Sequence, residues 1–238
     1  MGSSPSASRK ASPGTADPPV AGLRLLIRRA LLHLELLRNR LRLRFLQWLN
    51  PGIEIHPDAS RNLGRARFNV APGAHLRIGA RVATEAREGG LNFILAPGAT
   101  VEIGEDVWLR CEIGQTYIVA FEGATLRIGP EAFLNGCHVS AKGRVELGRR
   151  AWLGPGTRLF DADQHDLDDA RPERIGEVVI GDHVWVAGDV TILRGVTIGE
   201  HSIVGARSVV LEDVPPHTLV VGAPAKAVGT VGDRSRGR

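Results

Sequence analysis

Residues 178–210 read VVIGDHVWVAGDVTILRGVTIGEHSIVGARSVV, and within them Ile180, Val186, Ile192, Ile198, Val204 and Val210 are aliphatic at a strict interval of six. A helix repeats every 3.6 residues and a strand every two, so neither asks for this period. A coil with three short flat sides does. The aliphatic residue points inward, small residues and Gly turn the corners, and each three-sided turn stacks on the one before. The spacing therefore predicts an all-β solenoid, a parallel β-helix.

Working back from that block, GAHLRIG (73–79), GATVEIG (98–104) and GATLRIG (123–129) recur every 25 residues, and GRVELG (143–148) is a shorter relative. Since a clean turn takes only three six-residue sides, these earlier turns are each too long by about one further side, expected as a bulge or loop. Leu147, Leu153 and Leu159 resume the six-residue phase. It then breaks, because the step from Leu159 to Ile180 is not a whole number of sides. Something is inserted there, and a loop thrown out of a rigid scaffold is where chemistry tends to sit.

The flanks read differently. Residues 1–20, rich in Ser, Pro, Ala and Gly, bury too little to offset the entropy of ordering and are expected to be disordered. Residues 21–50 alternate Leu and Arg clusters until Pro51-Gly52, which predicts a basic amphipathic helix. Its apolar runs are too short to span a bilayer. The solenoid is expected over 51–228, with Pro215-Pro216 ending the regular turns and 217–229 folding back along the side. Residues 229–238 read as a polar tail.

With 43% hydrophobic and 24% charged residues, the 238-residue chain belongs among globular proteins, as one folded domain with appendages. Aromatics are scarce at 5%, which suits a narrow interior. Cys111 and Cys137 are the only cysteines, so no disulfide framework or structural zinc site is predicted, and a cytoplasmic location fits. The net charge of +4 does not point to nucleic acid. Residues 23–49 hold seven arginines against Glu35, a net of +6, and the remainder is slightly acidic. That basic segment suits peripheral contact with the inner face of a membrane, or packing on the solenoid's end or a partner subunit. Met1-Gly2 with Ser6 also fits a myristoylation pattern, and the Arg-rich start a transit peptide; both are short patterns that chance readily produces.

Inside the inserted loop, Asp161-x-Asp163-x-His165 sets an imidazole among carboxylates. A His so placed has a defined tautomer and serves as a general base, with Asp163 or Asp161 as orienter. A solvated polar loop is the plain alternative.

From about Leu91 to Val231 the chain resembles the hexapeptide-repeat acyltransferases, most closely the branch with galactoside, maltose and capsular-polysaccharide O-acetyltransferases. The residues that carry this are the 161–167 loop and the block Val178 to Val228. The resemblance implies a left-handed β-helix, a homotrimer with sites between subunits, and transfer of an acetyl group from acetyl-CoA without a metal. It implies His165 as catalytic base, Trp185 near the thioester and Gly188 along the pantetheine arm. Ala206, Arg207 and Ser208 fall at the turn touching the cofactor, Lys226 near its phosphates, and Asn135 at the acceptor. Arg207 stands where the family usually has Gly or Asn, a corner that often needs φ > 0. Leu211-Glu212 replaces a frequent Thr-Lys and puts an anion near the expected phosphates. The implied reaction is acetylation of a saccharide or glycoconjugate hydroxyl; N-acylation of an amino-sugar nucleotide and an inactive membrane scaffold are the alternatives. A zinc enzyme would need three converging His. His183 and His201 stack on adjacent turns, and no third His is expected to match them.

Overall fold

The computed structural model describes residues 18–235, with side chains from residue 22. The segment expected to be disordered lies outside the described residues up to 17. One helix, α1, runs Pro18–Leu49, and its two leading prolines sit in the first turn, where a missing N–H costs nothing. By contacts, one unit ends at Leu37 and the other begins at Arg38.

The second unit is the predicted solenoid. Among the described residues it has three seven-stranded sheets, called A, B and C here. One late turn shows the plan: Val178–Ile180 lies in sheet A, Trp185–Val186 in C and Thr191–Ile192 in B. Ile180 pairs in parallel with Ile198, Val186 with Val204 and Ile192 with Val210. The six aliphatic residues thus form three inward columns, each member at most 1% exposed. Burial of one such side chain stabilises by about 1.5–3 kcal/mol, which is why the repeat tolerates little but Ile, Val and Leu there.

Corners need a left-handed residue in every turn. From sheet A to C it is Arg81, Asp106, Glu131, Arg150, His183, His201 and His217, all with φ between 54° and 60°. Arg207 has φ 59° at the C-to-B corner, as its position predicted. The extra residues of the 25-residue turns are not one loop each. They lengthen strands to four or five residues, as in Leu91–Leu95 and Thr116–Ala120, and widen the C-to-B crossing at 111–115. That extra width admits Phe93 into the core, where it is fully buried and stacks at 5.1 Å on Phe68.

One expectation fails near the C-terminus. The prolines do not end the coil: Thr218–Val221 still pairs in parallel with Ile203–Val204, and the chain reverses only afterwards, where Lys226–Thr230 runs antiparallel to it. The polar tail, as far as it is described, is docked on the coil. Val231 N–H donates to the His217 carbonyl at 2.7 Å, Arg234 N–H to His201 Nδ1 at 2.9 Å, and Arg150 to the Ser235 carbonyl at 2.6 Å.

Candidate active site

The inserted segment is a short arm at the B-to-A corner. Its two limbs meet in antiparallel bridges, Ala162 with Ile175 and Asp168 with Arg171. Asp163 N–H donates to the Arg174 carbonyl at 3.1 Å and Leu167 N–H to the Arg171 carbonyl at 2.9 Å. His165 sits on the outgoing limb, exposed, just after Gln164, whose φ is 73°. Its imidazole makes no hydrogen bond among the described residues.

The aspartates expected to orient His165 build the arm instead. Asp161 is fully buried and its carboxylate accepts from Lys142 N–H at 2.7 Å and Gly143 N–H at 2.8 Å, tying the arm's root to the preceding turn. Burial holds its pKa above the usual carboxylate range, against the pull of those amides. Asp163 accepts from Arg194 Nε at 2.5 Å and Arg174 Nε at 3.2 Å, and the Arg194 bond above all lowers its pKa. A third brace joins Lys142 Nζ to Glu173 at 2.7 Å. Both aspartates therefore brace the arm within this chain. Arg194 and Lys142 were not singled out from the sequence, since nothing there shows that they converge on the loop.

The other matched residues lie elsewhere on the triangle. Trp185 stands on the outside of sheet C, 42% exposed. It registers with Trp152, which packs edge-on at 6.1 Å against Phe133, and Phe133 packs at 5.3 Å against Trp108. Rings excluded from the interior thus line one outer column of that sheet. Gly188, Ala206 and Arg207 occupy the C-to-B corner, and Ala206 and Arg207 are exposed. Ser208 is buried, and its hydroxyl accepts from Gly222 N–H at 3.0 Å, so its side chain holds the chain reversal. Lys226 pairs with Glu212 at 3.4 Å, so the substituted anion and the matched cation answer each other. Asn135, on Phe133–Asn135 of sheet C, is 5% exposed, and its Oδ1 is buried with no hydrogen-bond partner. One chain therefore does not bring His165 to the residues matched to the cofactor. His165 stands at the B-to-A corner, and the matched residues lie on sheet C and at the C-to-B corner, one side of the coil away.

Cysteine chemistry does not compete. Burial pushes the Cys137 thiol up to about 12, and raises that of Cys111 as well.

A third His does match His183 and His201. The rings of His183 and His201 stack at 4.9 Å and those of His201 and His217 at 4.8 Å, all nearly parallel. His217 comes slightly sooner after His201 than three full sides would place it, because the turn from Ile198 to its bridge partner Val214 is itself short. Counting in whole turns misses it. Parallel stacking along the axis is not the convergence a metal asks for. The tail crosses this stack and sets the Arg234 guanidinium 5.6 Å over the Trp185 ring.

Two imidazoles, His183 and His138, should make stability depend on pH. Burial first, then the neighbouring His201, depresses the His183 pKa, and burial depresses that of His138. A lowered folded pKa means that stability is complete above the ordinary imidazole value near 6.5 and is lost as pH falls through it. Asp161, with its raised pKa, works against this trend. Thermal melts from about pH 8 to about pH 5.5 should show a falling Tm. His183→Asn, which suits the left-handed corner, should flatten part of that fall.

Residues 177–212 match the family model "Bacterial transferase hexapeptide (six repeats)". The galactoside O-acetyltransferase of Escherichia coli K12 is 39% identical over 59 residues, 25% of this chain and 29% of that protein. A hexapeptide-repeat acetyltransferase of Vibrio cholerae, solved with acetyl coenzyme A, is 32% identical; the match covers 57% of this chain and 72% of that one, with a TM-score of 0.45. The polysialic acid O-acetyltransferase OatWY is 23% identical with a TM-score of 0.63, over 77% of this chain and 87% of its own. The fold shared with it is the left-handed parallel β-helix. The chain spans less than half the length of the curated relatives it matches, 28% to 42% of it. No helix among the described residues is long and apolar enough to cross a membrane.

Proposed function

Because the chain belongs to the hexapeptide-repeat transferase family, we propose that it moves an acetyl group from acetyl-CoA to a saccharide hydroxyl, with His165 as general base, in a homotrimer. One observation carries this reading. The exposed imidazole stands on an arm at one corner, while Trp185, Gly188 and Arg207 occupy the next side and corner of the same coil. Two copies set side by side give the arm of one a cofactor groove to reach on the other, which a single chain does not offer.

In the reaction, the acceptor hydroxyl loses its proton to the His165 imidazole as its oxygen attacks the thioester carbonyl carbon. The C–S bond then breaks, and the departing sulfur takes a proton back from the imidazolium, releasing an ester and free CoA. Trp185 has Arg234 over its ring but is still 42% exposed toward the thin pantetheine arm, and the exposed Arg207, with Lys226 beside Glu212, suits its phosphates.

The test is release of free thiol from acetyl-CoA across monosaccharides, nucleotide sugars and lipid-linked saccharides. Acceptor-dependent release is the expected result. Release with amino sugars alone would move the reading to N-acylation, and none with any acceptor would overturn it.

A further inference from the structure

We propose that α1 lies in the headgroup region of an anionic phospholipid bilayer, so that the protein works at a lipid surface. At 100° per residue, Leu23, Ile27, Leu34, Leu41, Phe45 and Trp48 fall on one face of α1. All six are exposed, by 50% to 75%. Arginines border this face along both edges, Arg24, Arg28, Arg38 and Arg42 on one and Arg29, Arg40 and Arg44 on the other. The opposite face is different. There Asn39 and Leu43 are buried and Gln47 accepts from Ile55 N–H at 2.9 Å, so that side is already committed to the solenoid. Over residues 38–48 two arginine rows thus separate a packed side from an open one, while nearer the N-terminus Leu25 and Leu32 on the opposite side are exposed as well.

Charge decides what covers the open face. Glu35 is the one acid between residues 23 and 49, so two such helices laid face to face would set arginine edge against arginine edge. An anionic lipid surface answers both rows at once. Arg42 is turned to Glu88 at 3.7 Å, but the stems of Arg24, Arg28, Arg29, Arg40 and Arg44 would lie along the apolar stripe while their heads reach the phosphates, and Phe45 and Trp48, stacked at 5.8 Å, supply the rings that favour this interface. The inference concerns where the protein works and does not depend on the acyl-transfer reading.

Flotation of the full chain with vesicles of phosphatidylcholine, with and without phosphatidylglycerol, tests it. Binding should appear only with phosphatidylglycerol and weaken at high salt. Leu34→Glu with Leu41→Glu should weaken it at least tenfold, and Arg40→Ser with Arg44→Ser should weaken it while leaving helix content by circular dichroism unchanged. Equal binding to both vesicle types, or no binding, would overturn the proposal. So would face variants that change the mass of the assembly in solution but not the vesicle-bound fraction, since the face would then meet a second copy of the chain. Protein that floats with anionic vesicles yet releases no thiol would sink only the catalytic reading.

Discussion

Replacing His165 by Ala should lower kcat for acetyl transfer by about 10²–10⁴, the usual contribution of a positioned base, and leave the affinity for CoA unchanged. The imidazole is exposed and bonded to nothing among the described residues, so its removal takes no support from the arm. Exposed substitutions of this kind usually change stability by no more than about 0.5 kcal/mol, so melting should be close to wild type. A split of this form, lost turnover with retained binding and folding, separates a catalytic base from a residue of the scaffold. Wild-type turnover in the variant would remove His165 from the mechanism.

The six-residue period made the late turns legible because each inward position is buried to the same depth on a flat side, and only aliphatic residues fit. Legibility fell where a turn departed from three equal sides. The 25-residue turns kept their sheet A strands in view through the GAxxxIG repeat but hid how strand length and the 111–115 crossing absorb the remainder. The shortened turn before Val214 hid His217 from the His stack. A docked tail was illegible for a different reason: Arg234 reaches His183, His201 and Trp185 by crossing the stack, and no local pattern records contacts 33 to 51 residues apart. For the site, spacing located the arm and its His but misread the acids beside it. Proximity in sequence suggested that Asp161 and Asp163 face the imidazole. Along an extended limb, however, side chains take their direction from what each can pair with, and the half-buried amides at 142–143 and the Arg194 guanidinium claim both carboxylates.

From that geometry Asp161→Ala should damage the protein more than Asp163→Ala, although Asp163 lies closer to His165 in sequence. Removing the buried Asp161 carboxylate leaves the Lys142 and Gly143 amides without their acceptor inside the protein, at a cost of about 2–3 kcal/mol. The loss should appear as a lower urea midpoint and as faster hydrogen exchange at those two amides. The Asp163 carboxylate is about a quarter exposed and its partners reach solvent. Loss of such a pair costs about 1 kcal/mol or less. Turnover should follow the same order, because the root that Asp161 fixes carries the whole arm, whereas Lys142–Glu173 still braces it when Asp163 is gone. Cleavage of the arm by a protease at residues 164–172 should rise in Asp161→Ala before it rises in Asp163→Ala. The reverse order would mean that the Asp163–Arg194 pair, and not the buried carboxylate, holds the imidazole in place.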